Sequence, residues 1–214
     1  MKTSTEIIDL IKENEILILN NLSNESVEVY KYIISTFQKT SEISKDEVFK
    51  FLFRSFYRLD NAGLSIEFKN DYFEILQKYR NEKEYTDDTI INIAKRLDKF
   101  PTLKNTSSFQ FSFITKLLNT INVDSPIWDS EVRSVFNFPN LPYKNRNIKA
   151  TLDDKLKVAI TQLSYLKGVF KEIEDSNELN KIIQKFDSKF NTCEMSFNKK
   201  LDFILWSTGK IMKK

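Results

Sequence analysis

The stretch "SKDEVFKFLFRSF", residues 44–56, decides the fold class. Phe49, Leu52, Phe53 and Phe56 recur at i, i+3, i+4 and i+7, behind Ser44 and Glu47 at the spacing of a capping box. A half-buried strand would alternate apolar and polar residues with period two, and this segment does not. It predicts an amphipathic helix.

The same period runs outward in both directions. Tyr30, Ile33, Ile34 and Phe37 form one stripe, and Phe68, Tyr72, Ile75, Leu76 and Tyr79 another. Thr86, followed by Asp87 and Asp88, is placed to cap a run through Ile90, Ala94 and Leu97. Further on come Phe113, Leu117 and Ile121, with Ile114 and Leu118 beside them. Thr151 opens a long run through Leu156, Ile160, Leu163, Phe170 and Ile173. Leu179 to Phe190 forms the next, and a last one through Leu201, Ile204 and Leu205 is expected to stop near Gly209 as a C-cap.

Only three glycines and four prolines occur in 214 residues, too few for a turn-rich β protein. The expectation is a single all-α domain spanning 1–214, of about nine or ten helices and two lobes, with circular dichroism dominated by helix. The polar connector "KFPTLKNTSS" (99–108) divides the lobes at about 1–100 and 101–214. In "LDNAGLS" (59–65), Gly63 is read as a helix terminus and Ser65 as the next cap.

Composition narrows the chemistry. There is no histidine, so no Ser-His-Asp triad, Cys-His pair or ordinary zinc site is expected. One cysteine, Cys193, allows no disulfide within the chain and fits a reducing, cytoplasmic setting. No Gly-rich phosphate loop is present, and neither a cofactor nor a metal is expected. No apolar run is long enough to cross a bilayer, and "MKTSTEIIDLIKENE" meets acidic residues too early for a signal peptide. Residues 1–100 carry 15 Lys+Arg against 18 Asp+Glu, net −3, while residues 101–214 carry 18 against 12, net +6. That polarity points either to an anionic partner for the second half or to an ordinary solvated surface.

Four places carry candidate chemistry. In "SPIWDSEV" (125–132), Asp129 stands at the start of a helical run and is either its N-cap or a carboxylate placed for reaction. Trp128 beside it is either a core anchor or the wall of a pocket. Lys116, among Phe113, Ile114, Leu117 and Leu118, is a nucleophile of lowered pKa if desolvated, or snorkels to solvent. In "LPYKNRNIK" (141–149), Lys144, Arg146 and Lys149 surround Tyr143 and two asparagines, a pattern suited to phosphates and one stacked base, or a plain solvated loop. Finally, Arg54 and Arg58, four apart, either clamp a phosphate or pair with Asp60. On the last helix, Asp202 and Trp206 are also four apart, with Trp206 expected inside.

The corner "SPIWDSEV", with "FPTLKNTSS" upstream in the hairpin position, resembles the helix-hairpin-helix DNA glycosylase superfamily. "SFITKLLNTIN…PIWDSEV" is similar to bacterial proteins related to the 8-oxoguanine DNA glycosylase fold. "FRSFYRLDNAGLSIEFKNDYFEIL" and "KKLDFILWSTGK" look like further signatures of a bacterial family without an assigned function. The glycosylase-like resemblance spans residues 99–135. It implies a DNA glycosylase-like fold, DNA as partner, and N-glycosylase chemistry on a flipped base if the protein is active. It makes Asp129 the catalytic carboxylate, Lys116 a candidate nucleophile and Trp128 a pocket residue. Lys104, Lys144, Arg146 and Lys149 become phosphate contacts, with Tyr143 beside them. The hairpin departs from the family pattern, holding Thr102 and Lys104 where two glycines normally let backbone amides approach phosphate. From a different class stands a non-enzymatic helical protein, such as a component of a bacterial defence or toxin–antitoxin set, whose aromatic helices bind a protein partner.

Overall fold

The computed structural model describes residues 1–82, 84–103, 109–142 and 150–213. Among them are eleven α-helices and no strand, with 72% of residues helical. The helices are α1 (Ser4–Glu13), α2 (Glu15–Asn21), α3 (Asn24–Lys39), α4 (Glu47–Tyr57), α5 (Ile66–Tyr79) and α6 (Asp87–Leu97). They continue with α7 (Phe111–Ile121), α8 (Ser130–Val135), α9 (Leu152–Ser176), α10 (Asn180–Phe190) and α11 (Phe197–Ile211). An isolated antiparallel bridge joins Leu64 to Thr102.

Local sequence explains most helix ends. Thr86 and Thr151 cap α6 and α9 in capping boxes, and the Ser65 hydroxyl accepts from the Phe68 amide to start α5. Gly63 takes φ +63 at the end of a 3₁₀ turn, as a left-handed terminus requires. Two expectations are corrected. The cap of α4 is Asp46, whose carboxylate accepts from the Phe49 amide at 2.9 Å, because Ser44 is taken up in a 3₁₀ turn before it. And α11 does not stop at Gly209 but passes through it to Ile211.

The chain forms two compact units. One comprises residues 25–122, the other residues 1–24 with 123–214. The N-terminal helices therefore group with the second half of the chain, although the connector at 99–108 had suggested lobes of 1–100 and 101–214. Periodicity identifies the apolar face of α1, here Ile7, Ile8 and Ile11, but carries no information on which distant helices will bury it.

Within the 25–122 unit the core is aromatic. Phe49, Phe53, Tyr72 and Phe73 are all buried, with Phe53 and Phe73 edge-on at 5.5 Å between centroids. The Tyr72 hydroxyl donates to the Phe113 carbonyl at 2.9 Å, tying α5 to α7, and burial pushes this phenol's pKa well up. Arg80 closes the far end of α3. It donates to the carbonyls of Phe37 (2.8 Å), Ser41 (2.6 Å) and Thr40, satisfying acceptors that the helix leaves without an internal partner. Arg96 and Asp71 link α6 to α5 through two parallel contacts of 2.8 and 2.5 Å.

In the other unit, α11 packs against α8, α2, α9 and α10. Leu201, Ile204 and Leu205 are fully buried, as the periodicity required. The surprise is that Lys199, Lys200 and Asp202 are buried with them. Each is paired: Lys199 with Asp202 at 2.7 Å, and Lys200 with Asp187 at 2.7 Å.

Candidate functional site

The corner after α7 is built residue by residue from contacts within the 1–24/123–214 unit. Asp129 has extended backbone (φ −123, ψ −178), and one carboxylate oxygen accepts from the amides of Glu131 (2.9 Å) and Val132 (3.0 Å). This is the geometry of an N-cap, and it answers two of the amides that a helix start leaves without partners. Replacing Asp129 with alanine should lower stability by about 1 kcal/mol, and asparagine should restore most of it. Denaturant titration of the two variants checks this, and an alanine variant as stable as the parent would contradict it.

Trp128 is buried, with its nitrogen bonded and a guanidinium over its ring. Its Nε1–H donates to Gln162 Oε1 at 2.9 Å. The Gln162 amide nitrogen donates to the Pro139 carbonyl at 2.9 Å, and Arg133 Nη2 reaches the same carbonyl at 3.3 Å. The Arg133 guanidinium lies over the indole, 4.6 Å from its centroid. Gln162 and Arg133 thus converge on the Pro139 carbonyl, ahead of the basic loop. Trp128 packs as a core residue with its polar atom satisfied.

α11 holds the corner from the other side. The Ile127 amide donates to Asp202 Oδ1 at 3.3 Å while Lys199 binds the other oxygen, and Asn198 donates to the Asp124 carbonyl at 3.3 Å. Glu131 on α8 takes ion pairs from Lys210 (3.2 Å) and Lys213 (2.7 Å). Burial alone would raise the Glu131 pKa, but these two ammonium groups outweigh it and hold the carboxyl below its usual range. Trp206, expected inside, is half-buried with Lys210 over its ring at 5.4 Å.

Lys116 belongs to the other unit. Its ammonium is 3.3 Å from the Tyr57 carbonyl and lies over the rings of Phe113 (4.9 Å) and Tyr57 (5.8 Å). Its apolar neighbourhood was legible; its partner, a carbonyl 59 residues earlier, was not. Lys116 lies in the 25–122 unit and Asp129 in the other. Of the arginine pair, Arg54 contacts Asp60 at 3.2 Å, which Lys69 also binds at 2.7 Å. Arg58 is the left-handed residue that ends α4 (φ 60) and is exposed. The salt-bridge reading of Arg54 and Asp60 fits these contacts.

Lys104, Tyr143, Lys144, Arg146 and Lys149 lie outside the described residues. Among the described residues no group of His, Cys, Asp and Glu is placed to hold a metal ion, and no helix is long and apolar enough to cross a membrane. Sequence reasoning passed over Arg133 and Gln162. Each is an unremarkable residue of its helix, and only the packing of α8 and α9 around Trp128 and Pro139 brings them together. Lys199 and Asp202, three apart on α11, carried a local signal that an apolar helix face had obscured.

No protein-family model matches the chain, and neither a curated protein nor a solved structure matches it.

Proposed function

We propose that this chain is a nucleic-acid-interacting protein, a phosphate-backbone binder in which Asp129 acts as a helix cap. The observation that carries this reading is local. From Val132 to Leu152 the chain holds Arg133, Lys144, Arg146 and Lys149 and not one acidic residue. Such a segment attracts polyanions and has no internal carboxylate to quench it. The asymmetry between sequence halves supports it less than it first did. Counted by structural unit, residues 25–122 carry 15 basic and 14 acidic residues, net +1, and the remainder 18 and 16, net +2. The acidic N-terminal helices offset the basic second half, and Lys12–Glu178 and Lys185–Glu15 pair across that grouping.

Neutralising Lys144, Arg146 and Lys149 together should weaken binding to duplex or single-stranded oligonucleotides. It should also flatten the plot of log affinity against log salt by up to about three units of slope. Binding measured across a salt series checks this, and an unchanged slope with intact affinity would sink the reading. Strand-cleavage assays on duplexes carrying uracil, 8-oxoguanine or an abasic site, run with the parent and Asp129→Asn, test whether glycosylase chemistry accompanies binding.

A second reading, a helical protein that binds a protein partner, draws on α4. Its face opposite the aromatic core exposes Val48 (60%) and Phe51 (58%), one turn apart. Loss of the salt effect combined with loss of function on replacing Val48 and Phe51 by serine would favour it.

A further inference from the structure

We infer that the guanidinium of Arg133, stacked on Trp128, is a seat for a phosphate group, and this deepens the nucleic-acid reading on which it rests. Several bases of the fold are answered by carboxylates. Lys199 and Lys200 are buried against Asp202 and Asp187, Arg96 against Asp71, and Lys69 against Asp60. Arg80 has no carboxylate but is met by three carbonyls at a helix C-terminus, where the partial charge is negative.

Arg133 has neither a carboxylate nor a set of carbonyls among the described residues, and shares with Lys116 the combination of a carbonyl and an aromatic ring. Among the described residues no carboxylate pairs with it, and its one hydrogen bond, to the Pro139 carbonyl, is a long 3.3 Å. Nε is enclosed without an acceptor. Burial lowers the pKa of this partly buried group, and no carboxylate among the described residues offsets that. Of five N–H donors, one reaches the Pro139 carbonyl and Nε is enclosed, so three on Nη1 and Nη2 have no partner among the described residues. Two parallel donors on a rigid plane match two oxygens of a phosphate. The plane is held from behind by the indole, itself locked by Gln162, so the edge is oriented before a ligand arrives.

The stack on Trp128 and the long bond to Pro139 answer this partly buried charge only in part, and a phosphate would answer the rest. This yields an unusual pairing of expectations. In buffer without phosphate, Arg133→Met should be at least as stable as the parent, because it keeps the packing on Trp128 and removes the unpaired charge. Arg133→Gln serves as a second variant, retaining a donor for the Pro139 carbonyl. Pyrophosphate should raise the melting temperature of the parent, and its apparent affinity should fall about tenfold or more in both variants, in keeping with loss of a charge-assisted bidentate contact.

The experiment is thermal unfolding of the full chain and both variants across a pyrophosphate titration, with oligonucleotide binding measured on the same three proteins. Equal pyrophosphate stabilisation of parent and variants, or none in the parent, overturns the site. So does a loss of stability in both variants without phosphate, which would make Arg133 a structural tie to Pro139. Pyrophosphate binding that depends on Arg133 while oligonucleotides fail to bind leaves the site standing and removes the nucleic-acid reading. Oligonucleotide binding that ignores Arg133 but responds to Lys144, Arg146 and Lys149 does the reverse.

Discussion

Asp202→Ala is expected to destabilise the protein by about 3–5 kcal/mol, the largest single-residue effect outside the aromatic core. The carboxylate is 8% exposed and its partner Lys199 only 2%, so the alanine variant takes the Asp202 charge away from a buried ammonium. The variant also strips the Ile127 amide of its acceptor, which loosens the corner ahead of Asp129. Replacing both members, Lys199→Met with Asp202→Leu, should recover much of the loss, since an apolar pair of similar volume needs no counter-charge. It should still fall short of the parent by about 1–3 kcal/mol, the cost of an unanswered buried amide. Equilibrium unfolding of the two single variants and the double variant measures the coupling directly. A single-variant loss below about 1 kcal/mol would mean that water reaches the pair.

Gly209→Ala should cost about 2 kcal/mol, and this result discriminates sharply between two roles for one glycine. At a C-cap, alanine would be unfavourable only because of a left-handed backbone. Gly209 is instead inside α11, where alanine would gain about 1 kcal/mol of helix propensity. That gain is overridden by space: an added Cβ would sit 2.6 Å from the Glu131 carbonyl oxygen and 2.8 Å from its carbonyl carbon. Backbone cannot swing aside as a flexible side-chain tip can, so α8 and α11 must separate, and overpacking of this kind costs about 1–3 kcal/mol or more. The displacement would also pull Glu131 from Lys210 and Lys213. A variant as stable as the parent, or more stable, would show that the two helices do not approach this closely.

Both results also turn on contacts between residues far apart in the chain, Ile127 with Asp202 and Glu131 with Gly209, and that is where legibility ended. The helical class was readable because a 3.6-residue apolar period is a local property, repeated from Tyr30 to Leu205 and punctuated by caps such as Ser65, Thr86 and Thr151. Asp129 was readable as a helix start for the same reason, since a cap answers amides two and three residues away. Where two local signals competed, the nearer one won: Asp46, adjacent to α4, displaced Ser44.

What tertiary structure alone decided is which faces meet. Sequence pattern placed Trp128 beside Asp129 but not Gln162 and Arg133 around it, because these three come from three segments brought together by packing. It identified a lysine among apolar neighbours at Lys116 without its Tyr57 carbonyl, and a glycine near a chain end without the backbone that crosses it. It could not foresee that α1 and α2 join residues 123–214, so the charge polarity of the two halves was not a polarity of the two units. Periodicity reports how far each residue turns from its neighbours along one helix, while partners across helices depend on the shape complementarity of whole faces, which no local spacing encodes.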